Sequence, residues 1–212
     1  MLKAKYPTRE EAVKRLKVGN IILFKRKKGL LQYLIRKASG SYWTHTALVF
    51  QVSKISAFPP SVLIVEASQT GIEVHRLETY LNQLHLYDIG FKRMNDLTGE
   101  ERERFRGFFL DAVDTPYDRR RLRAYFLHHY FERLTGKNYS HWVTKETVNP
   151  NNYLCTTFAQ RAYYLAVAPK KRPDVLFRPM RPDMNFIERM EFITPGDVAS
   201  SENTTWLFNP HL

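Results

Sequence analysis

Residues 42–52 read YWTHTALVFQV and predict a strand that begins at His45. From His45 to Val52 the residues are mostly β-branched or apolar, the composition typical of a strand in a core. A small, polar turn at Ser39-Gly40-Ser41 precedes this segment. A histidine at the edge of a strand, beside a turn that contains glycine, is well placed to face a cleft.

Other strands and helices are predicted on both sides of this segment. Strands are indicated at 20–24, 62–66, 72–75 and 84–89, and helices at the start of the chain, at 30–39, at 98–114 and from Cys155 onward. Capping boxes at Thr8/Glu11 and Thr98/Glu101 mark two helix starts. After Pro169 the chain is predicted to be irregular, up to a closing segment at 192–198. We interpret residues 1–212 as one α+β domain, with 119–152 as a helical insertion.

The composition limits the partners and the location. Thirty-three Lys and Arg against 21 Asp and Glu give a formal charge of +12, which favours anionic partners. No zinc finger, RNP aromatic pair or glycine-rich phosphate loop accompanies this charge, so nucleic acid is not the expected partner. Neither a secretory signal nor a window of about 20 apolar residues is visible, which predicts a cytoplasmic protein.

Cys155 is the only cysteine, which excludes an internal disulfide and a Cys-rich metal site. The adjacent His128 and His129 would point in different directions on a helix, so no metal site and no cofactor are predicted. Asn151 and Asn152 are candidate caps for a helix that begins near Cys155. A helix N-terminus favours a thiolate and could direct N–H groups at an oxyanion.

Two other residues stand out as possible partners of this thiol. Glu66 ends an apolar strand, and a buried carboxylate needs a partner. If the strands of His45 and Glu66 pair, the carboxylate could fix the imidazole tautomer for a nucleophilic Cys155. From the residues alone a second interpretation stays open, in which Cys155 is a buried small hydrophobe.

Several short segments, taken in order, carry a family resemblance. They are 18–22 (VGNII), 42–49 (YWTHTALV), 65–68 (VEAS), 71–74 (GIEV), 115–118 (TPYD), 153–158 (YLCTTF) and 194–198 (TPGDV). On these segments the sequence resembles the permuted branch of the NlpC-type, papain-like cysteine peptidases, the family of YiiX and YebB. In this branch the histidine and the glutamate precede the cysteine.

The resemblance implies a small antiparallel sheet or half-barrel packed against helices. It implies Cys155 as the nucleophile, His45 as the base and Glu66 as the orienting acid. Tyr117, Tyr153 and Thr156 are secondary candidates for contact with the oxyanion or the substrate.

Three departures from the family pattern stand out. Asn20 stands where aspartate is common, and Thr156 and Thr157 replace a Ser-Glu pair. The segment 119–152 is longer than expected and leaves the substrate open.

The resemblance predicts a cysteine hydrolase that cleaves an amide or another acyl bond in a peptide, amide or lipid substrate. One alternative is a lipid-directed thiol acyltransferase or esterase of the lecithin:retinol acyltransferase kind. Another is a non-catalytic basic module that binds anionic lipid or nucleic acid. The Arg-rich, aromatic segment from Arg119 to Leu134 is a candidate amphipathic helix, with which the protein could lie peripherally on an anionic membrane. The sequence gives no oligomeric state.

Overall fold

A computed structural model of the chain describes residues 8–53, 61–124, 135–136, 152–178 and 186–211. The strands are β1 (Asn20–Arg26), β2 (His45–Ser53), β3 (Ser61–Ser68), β4 (Gly71–Arg76), β5 (Tyr87–Met94) and β6 (Thr204–Phe208). The helices are α1 (Arg9–Lys14), α2 (Leu30–Ser39), α3 (Leu77–Leu81), α4 (Gly99–Ala112), α5 (Cys155–Ala166), α6 (Phe186–Glu191) and α7 (Pro195–Ser200). A 3-10 helix spans Pro169–Val175. Residues 119–124 begin a further helix, and most of the predicted insertion lies outside the described residues.

The six strands form one open antiparallel sheet in the order β4-β3-β2-β1-β5-β6. Together with the flanking helices this sheet makes an α+β fold, as predicted. β2 lies between β1 and β3, and Ala47 pairs with Glu66 across β2 and β3. His45 precedes Ala47 by two residues, so His45 and Glu66 project from the same face of the sheet as diagonal neighbours.

Both faces of the sheet carry buried apolar residues, because the strand side chains alternate between the two sides. On one face, Leu48 and Val65 pack with α4 and α5, whose Phe109 and Phe158 are almost fully buried. On the other face, Phe24 and Ala47 pack with residues of α1 and α3. Burying each of the Leu, Val and Phe side chains among them stabilises the fold by roughly 1.5–3 kcal/mol. The sheet therefore holds β2, β3 and α5 in a fixed arrangement.

Both predicted capping boxes are present. The Thr8 and Thr98 hydroxyls accept from the N–H groups of Glu11 and Glu101, and each glutamate accepts from the cap residue's N–H in return. Each box satisfies donors that the first helical turn leaves without partners. These two helix starts depend only on residues three positions apart, which is why the sequence alone predicts them.

Two predictions about regular structure are wrong. The predicted strand 84–89 is displaced, because residues 82–86 form turns in which Leu86 N–H donates to the Gln83 carbonyl, and β5 begins only at Tyr87. Between Pro169 and the closing segment the chain is not irregular throughout, since it contains the 3-10 helix and α6. Helix α7 lies in the closing segment, and β6 follows it. β6 is short and pairs with β5, more than 100 residues earlier, so its strand character comes from a distant partner.

Candidate active site

Cys155 is the first residue of α5, with its side chain almost fully buried. Leu154 occupies the N-cap position, so the prediction of Asn152 as the cap is wrong, and Asn151 lies outside the described residues. The capping hydroxyl comes from Thr157 instead. It accepts from the Leu154 N–H at 2.9 Å and donates to the Leu154 carbonyl at 3.1 Å. Helix α5 therefore starts at the cysteine.

His45 lies between the cysteine and the glutamate. Its Nε2 bonds to Oε2 of Glu66, and its ring lies close enough to Cys155 for each group to shift the pKa of the other. The structure thus brings together the three residues that the sequence singled out.

The charges at this site favour an ion pair between Cys155 and His45. Burial raises the pKa of Cys155, but the charge and hydrogen bond of His45 more than offset this, so the pKa lies below that of an ordinary thiol. Burial lowers the pKa of His45, but the Cys155 thiolate and then Glu66 outweigh burial and raise it to about 10. Both pKa shifts favour the thiolate–imidazolium pair over the neutral thiol and imidazole.

Backbone N–H groups add to the stabilisation of the thiolate. The backbone N–H groups of Thr46 and Thr156 lower the pKa of the Cys155 thiol. Cys155 is the first residue of α5, so helix geometry leaves its own N–H without an intrahelical acceptor. Donors around a helix N-terminus can stabilise negative charge on the sulfur or on an oxygen bonded to the attacked carbon.

The three secondary candidates have different surroundings. Tyr117 lines the cleft at Cys155, and burial followed by the thiolate charge raises its pKa, so its hydroxyl stays protonated as a donor. Tyr153 forms a β-bridge with Tyr117 and packs its ring against Phe158 at 5.5 Å between centroids. The Thr156 hydroxyl donates to the Ile193 carbonyl at 2.5 Å. Tyr117 is therefore the candidate whose hydroxyl is affected by the charge at Cys155.

Two further residues contact Glu66, and the sequence analysis did not single them out. The Tyr80 hydroxyl of α3 donates to Oε1 of Glu66, and Nε2 of His75 on β4 lies 3.8 Å from the same oxygen. Burial raises the pKa of Glu66, but the contacts with His45, Tyr80 and His75 hold it below its usual value. Alternation along β4 and pairing with β3 could have identified His75, whereas no sequence signal places Tyr80 here.

A cleft of about 300 Å³ opens beside the Cys155 sulfur. Its lining includes the catalytic candidates His45 and Cys155, and side chains of α2 and of the segment before α7. Apolar residues make up much of its wall: Phe24, Leu31, Ile35, Leu154, Phe192 and Ile193. Arg121 and Glu191 also line it, and they form a buried ion pair with each other. The cleft is large enough to admit an acyl group to the sulfur.

Replacing Glu66 with glutamine is expected to slow alkylation of Cys155 by iodoacetamide at pH 6 by about tenfold, equivalent to one pKa unit. The substitution removes the negative charge that holds the proton on His45, and the imidazolium in turn holds the thiolate. Cys155 is the only cysteine, so the adduct measured by intact mass spectrometry reports on this thiol alone.

Glu73→Gln is the matched control, because Glu73 pairs with Glu66 across β3 and β4 and is half-exposed. This control is expected to alkylate as fast as the unsubstituted protein. Tyr80→Phe keeps the Glu66 charge, and its rate of Cys155 alkylation is expected to lie between those of Glu66→Gln and Glu73→Gln. Equal alkylation rates for Glu66→Gln and Glu73→Gln would refute the role of the Glu66 charge.

Comparisons with known proteins give a fold but no family. No family model matches the chain, and no curated protein matches it. Among solved structures, the crystal structure of metalloprotein YiiX from Escherichia coli O157:H7 is similar, with a TM-score of 0.54 and 15% sequence identity. The match covers 90% of this chain and 95% of that chain. The fold is therefore YiiX-like, in agreement with the resemblance seen in the sequence.

The similar structure is that of a metalloprotein. The part of this chain that the structure describes contains no group of three or more His, Cys, Asp or Glu side chains that could hold a metal ion. The carboxylate of Glu66 and the ring of His45 are instead engaged with each other. Among the described residues the site therefore offers no grouped set of ligands for a metal ion.

Proposed function

We propose that the chain is a papain-like cysteine hydrolase that cleaves an amide or another acyl bond through Cys155, His45 and Glu66. The observation that carries this proposal is the position of His45, whose ring bonds to Glu66 and lines the same cleft as Cys155, close enough to lower the pKa of the thiol. A thiolate at a helix N-terminus, beside an imidazolium held by a carboxylate, is an activated nucleophile.

The reaction would proceed in two steps. The Cys155 sulfur attacks the acyl carbon, and the bond from that carbon to the leaving group breaks as His45 gives its proton to the leaving group. The product is an acyl thioester on Cys155. Water then attacks the thioester, His45 takes the proton from the water, and the acid is released with the thiol restored.

Each neighbouring group has a part in these steps. Glu66 keeps the imidazole in one orientation and stabilises its positive charge. The Cys155 N–H and the Tyr117 hydroxyl are the donors for the oxyanion that forms during attack. The backbone N–H is always a donor. The Tyr117 hydroxyl is also a donor at neutral pH, because burial and the thiolate charge raise its pKa.

A second candidate function is lipid-directed: hydrolysis or transfer of a long acyl chain. The apolar wall of the cleft favours it, because Leu31 and Ile35 of α2 and Phe192 and Ile193 line the space beside the sulfur. A series of nitrophenyl esters from acetyl to dodecanoyl separates the two candidates. Rates that rise steeply with chain length support the lipid-directed function, whereas rates highest for short or peptidic acyl groups support the amidase.

Trapping of the acyl-enzyme tests the hydrolase proposal. We expect that nitrophenyl esters and peptide nitroanilides will leave a hydroxylamine-sensitive acyl adduct on Cys155, detected by intact mass spectrometry. The adduct is expected to be absent in Cys155→Ala. A matched control is Thr205→Ala, which changes an exposed residue of β6. Release of nitrophenol or nitroaniline at the rate of buffer alone, with no adduct, would contradict the proposal, and so would full activity in Cys155→Ala.

A further inference from the structure

Helix α2 presents an unusual surface beside the cleft. Its residues Leu31 and Ile35 line the cleft, whereas Leu30, Tyr33 and Leu34 are exposed to solvent by 75%, 50% and 40%. These three are close together on one side of the helix, because residues three and four positions apart are neighbours. The helix is thus apolar on two sides, and the side with Leu30, Tyr33 and Leu34 is not buried by any of the described residues.

Positively charged residues flank this exposed apolar face along the chain. The sequence contains no Asp or Glu between Glu11 and Glu66, although it contains ten Lys and Arg there. Four of these precede α2 directly, at 25–28, and Arg36 and Lys37 lie in its last turn. Lys37 lies over the Tyr33 ring, with Nζ 5.8 Å from the ring centroid.

Acidic residues neutralise only part of this charge. Lys25 and Lys27 share Asp88, at 3.5 and 3.1 Å. Arg26, Lys28 and Lys37 are exposed, and within the described residues none of the three forms an ion pair. A partner with a negative surface and an apolar interior would satisfy both the cations and the exposed leucines.

We propose that α2 docks the protein on an anionic lipid bilayer, with Leu30, Tyr33 and Leu34 entering the headgroup region and Arg26, Lys28 and Lys37 binding the lipid phosphates. An amphipathic helix with aliphatic and aromatic residues flanked by Lys and Arg lies in the bilayer interface in this way. A nucleic acid would use the cations but leave the leucines in water, and an apolar protein groove would leave the cations unpaired. This docking is independent of the proposed hydrolase chemistry.

Cosedimentation with large vesicles tests the docking. The protein used is Cys155→Ala, so that no reaction at the thiol can affect binding. We expect binding to vesicles of phosphatidylcholine with 30% phosphatidylserine, and at least about tenfold weaker binding to phosphatidylcholine alone. Lys28→Gln/Lys37→Gln is expected to weaken binding about 30-fold, from about 1 kcal/mol for each cation at an anionic surface. Leu30→Ser/Leu34→Ser is expected to weaken it by about tenfold or more, because it removes apolar burial.

Matched controls change the same residue types elsewhere on the surface. Leu110→Ser/Leu165→Ser alters two exposed leucines of α4 and α5, and Arg120→Gln/Arg123→Gln removes two exposed cations within the predicted 119–134 helix. Both controls are expected to bind as the parent does. The proposal is overturned by absence of vesicle binding or by unchanged binding of both α2 variants. An equal loss of vesicle binding in the α2 variants and in the control variants also overturns the proposal. The two α2 variants are independent, so misfolding of one, seen by circular dichroism, leaves the other to decide.

Discussion

Replacing His45 with alanine is expected to lower the rate of ester hydrolysis by about 10²–10⁴-fold, the usual contribution of a positioned acid–base group. Without the ring, the Cys155 sulfur loses the charge that lowers its pKa, and the leaving group loses its proton donor. The measurement is the initial rate with a nitrophenyl ester at pH 7, after thermal denaturation has shown that the variant is folded.

His85→Ala is the control for this substitution. His85 is exposed and lies in the turn before β5, away from the contacts of His45. This variant is expected to retain the unsubstituted rate. A His45→Ala enzyme that keeps more than half of the activity would contradict the assignment of the base.

Replacing Glu191 with alanine is expected to lower the free energy of unfolding by about 3–5 kcal/mol, the usual cost of removing one member of a buried ion pair. Glu191 of α6 accepts from Arg121 through Oε2 and from Arg161 Nη2 at 2.5 Å through Oε1. Asp118 lies 3.1 Å from Nε of Arg121. Arg121, Asp118 and Glu191 are all at least 95% buried, so the substitution leaves two guanidinium groups short of negative charge.

Urea denaturation measures this loss. Glu103→Ala is the matched control, because Glu103 forms an ion pair with Arg106 on the exposed side of α4. An exposed pair contributes about 0–1 kcal/mol, so this variant is expected to stay close to the unsubstituted protein. A decrease of less than about 1 kcal/mol in the free energy of unfolding of Glu191→Ala would show that the buried ion pairs of Glu191 do not stabilise the fold.

Much of the local structure could be predicted from the sequence, because its causes are local. The boxes at Thr8 and Thr98 and the amphipathic pattern of α2 each depend on residues within one or two turns. Glu66 was also recognisable, since a carboxylate that ends an apolar run needs a partner. The contact between His45 and Glu66 is expected only if their two strands pair. Strands β2 and β3 do pair in the structure.

Other features could not be predicted, because their partners are far apart along the chain. Arg121 and Glu191 are separated by 70 residues, and neither neighbourhood indicates the other. Tyr80 reaches Glu66 only because α3 packs over β3. The prediction of an asparagine N-cap for α5 is wrong because the hydroxyl of Thr157, inside the helix, accepts the hydrogen bond from the Leu154 N–H.

The helices of the described residues include none with the length and apolar character that a membrane crossing requires. The docking proposed for α2 does not need one, because an interfacial helix lies along the bilayer surface. The predicted membrane surface at 119–134 lies largely outside the described residues. The Arg120→Gln/Arg123→Gln variant therefore distinguishes the two surfaces experimentally.

The most direct test of the thiolate–imidazolium pair is the rate of Cys155 alkylation by iodoacetamide between pH 4 and 10.5. An ordinary thiol gives a rate that rises with a midpoint at pH about 8.5. Because the pKa of Cys155 is lowered and that of His45 is raised to about 10, we expect a plateau that begins well below pH 8 and a second change near pH 10, as His45 loses its proton. His45→Ala is expected to lose the plateau. A single midpoint at or above pH 8.5, unchanged in His45→Ala, would contradict an activated Cys155.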